Sequence, residues 1–412
     1  MSKYLWAMLM SGGVIVAGCD EQTTELQSQT KQIPKSQAKQ TTEQQPQTKQ
    51  ILKPQSQVEQ IPERQYQNAI EILEEIDETG VMTDGQLKVL STFDVLSFDG
   101  RTSITDIQLE SLSKFTNLAL NDFTSITDSQ AESLSKVRVL ALNGLTSLTE
   151  TQAESLSIVG GLELNGLTSI TDTQAESLSK VKSLALNGLA SLTDGQAKIL
   201  SKVTFLELND LPSLTEPQAE SLSKVVGLEL NGLTSFTDTQ VESLSKVQGL
   251  SLIKPSEGKS PAAWKFGVLH LNGLTSINDL QAESLSKVGS LALNGLTLLT
   301  EPQAEILSKV KFHLALNGLV SLTDAQAKNL SKIAEEERDV RLGSLQLNSL
   351  PSLTDAQAES LGEVNSLKLM GLTSITEAQA ESLGKVYSLD VSDSIHLKVY
   401  KYRYGRFERN LR

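Results

Sequence analysis

From about residue 80 to residue 394, apolar and polar positions recur in step, mostly every 22 residues. One unit, Val181 to Lys202, reads VKSLALNGLASLTDGQAKILSK. Its first half sets Val181, Leu184, Leu186 and Leu189 in the order V-x-x-L-x-L-x-x-L. The alternation Leu184–Ala185–Leu186 predicts a short strand with one face buried and one exposed. The second half changes period to that of a helix and carries a start signal. In the preceding unit Thr171-Asp172-Thr173-Gln174 forms a capping box, with Thr at the N-cap and Gln three residues on. Ile170 is placed to staple against Ala175. Asp172 suits the positive helix end, Lys180 suits the negative end, and Glu176 stands one turn before Lys180. Pro217 and Pro302 fall in the first turn, where a missing N–H costs little. Ala175, Leu178 and Val181 then face inward.

No such unit can bury its Leu and Ile alone, so neighbours must stack, strands in one parallel sheet and helices on the other side. Strands about 4.8 Å apart against bulkier helices force curvature with the strands inside. An Asn column accompanies the stack at Asn121, Asn143, Asn165, Asn187, Asn209 and Asn231, and again at Asn272, Asn294, Asn317 and Asn348. It reads as an amide ladder along the strand ends. The pattern L-x-L-x-G-L-x-x-[IL]-T-D-x-Q-A-x-x-L resembles leucine-rich repeats, nearest the subtype written L-x-L-x-x-C-x-x-I-T-D. Here Leu189 and its equivalents hold the cysteine slot, and the unit is short for that subtype. The resemblance implies an α/β solenoid, a curved array with parallel β-strands on the concave face and short helices on the convex face. It implies a recognition scaffold but names no ligand.

The array departs from its rule in few places. The residue between the two strand leucines is mostly small, but Glu163, Glu207, Glu229 and His270 are not. At exposed positions they are candidates for partner binding; an ordinary solvated face is the plainer reading. After Leu250-Ser251-Leu252 the expected helix gives way to IKPSEGKSPAAWKFG, and the next strand, at Leu269, arrives sooner than the period requires. Trp264 and Phe266 lie there in a chain only 4% aromatic. They either plug the hole left by a missing helix or present an aromatic anchor to a partner. Later, KIAEEERDVRLG widens the interval between Asn317 and Asn348 beyond one repeat and is expected to extend an outer helix. The end, HLKVYKYRYGRFERNLR, alternates Tyr400, Tyr402 and Tyr404 with Lys401 and Arg403. It reads as a cap strand, or as a basic aromatic tail over 395–412. Residues 68–78, NAIEILEEIDE, read as the matching N-terminal cap of a solenoid running from 68 to 394.

The start, MSKYLWAMLMSGGVIVAGCD, combines Lys3 with an apolar run too short to span a bilayer. Val16-Ala17-Gly18-Cys19 resembles the lipobox of bacterial lipoproteins, which implies a signal peptide at 1–18 and lipid attachment at Cys19. The glutamine-rich stretch 19–67 has few apolar residues and no period, and reads as a disordered tether. Cys19 is the single cysteine, which excludes an internal disulfide. His270, His313 and His396 are scattered, so no metal site is expected. Net charge is −14. The tether is neutral and the last eighteen residues carry +5, which leaves the repeats strongly acidic. That argues against nucleic acid as a partner and suits a monomer kept apart by self-repulsion. There is no phosphate loop, nucleophile elbow or paired-histidine motif, so neither an enzyme nor a cofactor is expected. The sequence leads to a lipid-anchored envelope protein that binds a protein partner. A spacer without a ligand is the alternative, and a glycan-binding or glycan-acting protein a weaker one.

Overall fold

The computed structural model describes residues 14–17, 71–72, 75, 83–90, 95–98, 104–247, 267–333 and 343–409. Cys19, the tether, Trp264, Phe266 and the stretch 334–342 lie outside the described residues. One parallel sheet runs through them, with its strands in chain order. It begins with β1 (Val14–Ala17), β2 (Val95–Phe98), β3 (Asn117–Ala119), β4 (Val139–Ala141) and β5 (Gly161–Glu163). It continues with β6 (Ser183–Ala185), β7 (Phe205–Glu207), β8 (Gly227–Glu229), β9 (Val268–His270) and β10 (Ser290–Ala292). It ends with β11 (His313–Ala315), β12 (Ser344–Gln346), β13 (Ser366–Lys368) and β14 (Ser388–Asp390). The edge strand β1 comes from the segment read as the signal and pairs with β2; cleavage before Cys19 would leave β2 at that edge. Between strands, short helices such as Asp172–Leu178 and Asp194–Leu200 stack on one side. The architecture is a leucine-rich-repeat curved solenoid.

Its core is a set of columns. Leu178 and Leu186 are fully buried, as are their equivalents along the array, and Ala175 and Val181 join them. The predicted capping boxes are present, with Thr171 accepting from the Gln174 N–H and the Gln174 side chain accepting from the Thr171 N–H. From Gln130 to Gln379 each box glutamine has a second task. Its Nε2 donates to a backbone carbonyl of the preceding unit, as from Gln152 to Ile126 at 2.8 Å and from Gln196 to Ile170 at 2.9 Å. The same bond recurs through Gln379, to Leu353. One side chain therefore starts its own helix and fastens it to the unit before.

On the opposite side the Asn column forms its ladder. The Asn187 N–H donates to Asn165 Oδ1 at 3.0 Å, and the Asn209 N–H donates to Asn187 Oδ1 at 3.0 Å. The side-chain carbonyl is thus the acceptor and the next unit's backbone the donor. This leaves each amide NH2 for another partner.

The stretch after Val247 corrects the reading of a missing helix. Strand β8 pairs directly with β9, Glu229 opposite His270. The Asn272 N–H reaches Asn231 Oδ1 at 3.1 Å across 41 residues, and Gln281 Nε2 reaches the Phe236 carbonyl at 3.1 Å. Both ladders pass the gap at ordinary bond lengths. Residues 248–266 are therefore an insertion into an unbroken array, and Leu250-Ser251-Leu252 adds no strand between β8 and β9. The same holds later. Helix Asp324–Leu330 keeps the usual seven residues, β11 pairs directly with β12, and Asn348 N–H bonds Asn317 Oδ1 at 3.0 Å. The extra residues enter after Ile333, and the stretch 334–342, where a helix extension was expected, lies outside the described residues.

The C-terminal cap also differs from expectation. It is a helix, Asp393–Arg409, and not a strand. Ile395 and Val399 are buried one turn apart and Tyr402 packs against the core, so the helical period outweighs the Tyr–Lys alternation. Among the described residues no helix is long and apolar enough to cross a membrane.

Candidate interaction surface

The third residue of each strand was expected to be exposed on the concave face. From β3 to β11 it is buried instead, whether it is Ala119, Ala185 or a charged residue. Glu163 is 0% exposed, Glu207 4%, Glu229 5% and His270 9%. Side chains on the inside of a curve converge, and small residues there are overtopped by their neighbours. The fit is close: a Cβ on Gly227 would lie 2.5 Å from the Phe205 ring. The face opens only toward β12–β14, where Gln346 and Lys368 are half-buried and Asp390 is exposed.

The three glutamates are tied into the Asn column. Asn143 Nδ2 donates to Glu163 Oε2 at 2.9 Å, Asn187 to Glu207 at 3.3 Å and Asn231 to Glu229 at 3.1 Å. Glu229 Oε1 lies 3.2 Å from His270 Nδ1. The structure thus brings Glu229 and His270 together, sets Glu207 on the strand beside Glu229, and leaves Glu163 two strands away from Glu207 across Ala185. Burial, then the Glu229 carboxylate, push the Glu207 carboxyl up to about 8, against the hydrogen bond from Asn187; Glu163 adds to the rise. Burial likewise lowers His313 to about 4, with His270 and then Lys368 contributing. Among the described residues no group of His, Cys, Asp and Glu could hold a metal ion. The concave trio is therefore a buried polar element held by the Asn column.

Exposed chemistry lies on the two rims. Where the helices start, every unit from Asp106 to Glu377 presents an exposed acid, among them Asp172, Asp194 and Glu216. Where the helices end and the strands start, the units present exposed lysines at Lys180, Lys202, Lys224, Lys246, Lys287 and Lys309. Arg138, Lys182 and Lys311 add a second cation there. Ile158 and Glu363 interrupt the row. Helix-dipole complementarity explains an acid at one end and a lysine at the other. A seven-residue helix is about 10 Å long, more than the roughly 8 Å Debye length at physiological salt, so the two rims act as separate electrostatic surfaces. Glu176, expected to pair with Lys180, instead meets Lys202 of the next unit at 3.1 Å. Lys246 pairs with Glu242 at 3.5 Å within its own helix. Such exposed pairs contribute little stability. Sequence reading found the acidic balance but not its segregation, which needed only the repeat position of each charge.

Every change of unit length falls on the basic rim. The insertion 248–266 leaves after Val247 and rejoins at Gly267; that of 334–342 leaves after Ile333 and rejoins at Gly343. One extra residue follows Val310, so Asn294 and Asn317 are 23 apart. Val247, Val310 and Ile333 are the same position of the repeat as Val181.

No protein-family model and no curated protein matches the chain. Solved structures that resemble it include an internalin of Listeria monocytogenes, 19% identical, with 82% of this chain and 92% of that one covered and a TM-score of 0.41. The yeast Rad7 and Elc1 complex gives 19% identity, 81% and 90% coverage and a TM-score of 0.46. LegL7 of Legionella pneumophila, a leucine-rich-repeat-containing protein, gives 13% identity, 68% and 93% coverage and a TM-score of 0.40. These likenesses are too distant to bear on function, and the fold rests on the chain's own columns.

Proposed function

We propose that this protein is a lipid-anchored component of a bacterial cell envelope whose solenoid binds another protein. The observation that carries the binding half is the contrast between constant and varied positions. The Leu, Asn, Gln and Ala columns repeat from unit to unit, while the two long insertions leave and rejoin the array at one rim and keep those columns intact. A spacer gains nothing from insertions that add no strand between their flanking, directly paired strands; a recognition scaffold gains a presented surface. Trp264 and Phe266 belong to the larger insertion and are the aromatic anchors of this reading. The anchoring half rests on Cys19 behind Val16-Ala17-Gly18. Several acyl chains there would hold the protein firmly at a membrane, at about 0.8 kcal/mol per buried methylene.

A photoreactive residue placed at position 256, within the larger insertion, tests the binding half in intact cells. A discrete adduct with a defined protein supports it. An adduct ladder no different from that of a label at Thr173, on the other rim, would favour the spacer. For the anchor, labelled palmitate should enter the wild type and not Cys19→Ala, and the variant should leave the membrane fraction. Labelling that survives the substitution refutes it.

A further inference from the structure

We infer that the basic rim, from Lys180 to Lys246, is a docking surface for an acidic, extended segment of the protein partner. The inference rests on the binding reading above and adds the chemistry of the partner. In this stretch Lys180, Lys182, Lys202, Lys224 and Lys246 are exposed; Lys202 and Lys246 meet Glu176 and Glu242 of the helices beside them, while no acid stands among residues 179–183, 201–205, 223–227 or 245–247. Helix dipoles account for a lysine near a helix end, but their influence decays within the last turn. Lys182 lies past that turn, just before β6, as Arg138 lies just before β4. The rim is thus more basic than helix capping requires, in a chain whose net charge is −14.

Spacing favours a polypeptide. Neighbouring units are about 4.8 Å apart at the sheet and roughly 8–10 Å apart at the helix axes. A row at the rim between them has an intermediate step. Alternate residues of an extended chain repeat about every 6.6–6.8 Å, within that interval. An acidic segment with Glu or Asp at alternate positions can therefore meet successive lysines without changing direction. The row ends at Val247, where the chain leaves the array before rejoining it at Gly267.

The test uses the full chain with Cys19→Ala, which removes any acyl contribution, and a fluorescent Glu-Ser repeat peptide as probe. Anisotropy should report binding that weakens about tenfold between roughly 0.05 and 0.3 M salt. Lys182→Glu/Lys202→Glu/Lys224→Glu should weaken it at least about tenfold more, with the thermal melt unchanged because all three are exposed. The same charge reversal at Lys31, Lys35 and Lys39 of the tether should have less than about a third of that effect on a logarithmic scale. Should the triple variant fold poorly, the Gln versions of the same lysines replace it. No peptide binding at low salt, or equal losses from rim and tether reversals, overturns the inference. So does lysine-dependent binding to phosphatidylglycerol vesicles without peptide binding, which would make the surface a membrane contact. A partner adduct from position 256 that survives the rim reversals would leave the binding reading standing and remove this one; no adduct at all removes the binding reading first.

Discussion

Gln196→Glu isolates the cross-unit bond from the capping box. In the parent, Gln196 Oε1 accepts from the Thr193 N–H at 3.0 Å while Nε2 donates to the Ile170 carbonyl at 2.9 Å. Glutamate keeps the first bond and turns the second into two facing oxygens. The Ile170 carbonyl loses its donor at a half-buried site, which costs about 1–3 kcal/mol. Burial of the new charge adds to the loss, offset in part by the positive helix end. The expected destabilisation at pH 7 is therefore about 1–3 kcal/mol, from urea melts monitored by circular dichroism. Hydrogen exchange should show faster opening between the units of Ile170 and Gln196 than elsewhere. The variant carries its own control. Near pH 4 the carboxyl is increasingly protonated and its O–H can donate to the Ile170 carbonyl, so the deficit should shrink. Thr193→Ala, which breaks only the cap, should cost about 1 kcal/mol with no such recovery. A Gln196→Glu variant as stable as the parent at pH 7, or a deficit independent of pH, refutes the stapling role.

Three further outcomes follow from the same structure. Leu186→Asp places a charge where the parent is fully buried, and should destabilise by about 3–5 kcal/mol or more; coincident melts would mean the inward face is misassigned. Glu207 is raised from 4.5 to about 8 in the folded state. Its contribution is therefore complete below pH 4.5 and is lost as pH rises toward 8, so Glu207→Gln should flatten the fall of the melting temperature over that window; an unchanged slope contradicts the assignment. Trp264→Ala should move stability by less than about 1 kcal/mol, because the paired β8 and β9 leave no hole to plug; a loss of about 3–5 kcal/mol would restore the plugging reading.

What the sequence revealed, and what it hid, follows from the range of the interactions. Strand and helix in each unit are local, and their signals, the Leu184–Leu186 alternation and the Thr171–Gln174 box, were fully legible. The Asn ladder was legible as a column but not in its donor, since only the register between units shows that a backbone N–H fills that role. Glu163, Glu207 and Glu229 were misread as exposed because alternation tells which face a side chain takes, not how crowded that face is. Leu250-Ser251-Leu252 carries the strand signal in three letters; the long-range pairing of Glu229 with His270 leaves it no place between β8 and β9. The terminal helix was hidden by tyrosines at alternate positions, though Ile395, Val399 and Tyr402 carry its true period. The charged rims were readable throughout and appear once each residue is assigned its place in the repeat.

Both the binding reading and the rim inference require a continuous array that holds its insertions outside. The most direct measurement is a disulfide between Glu229→Cys and His270→Cys in a Cys19→Ala background. Register partners on adjacent strands stand about 5 Å apart, within the roughly 4.4–6.8 Å Cα range that a disulfide bridges. A strand from 250–252 between them would double that separation and put them beyond reach. Under mild oxidation the account predicts rapid, near-complete bridging, read as the loss of free thiols in the folded monomer. Thiols that stay free until the chain is unfolded would contradict it.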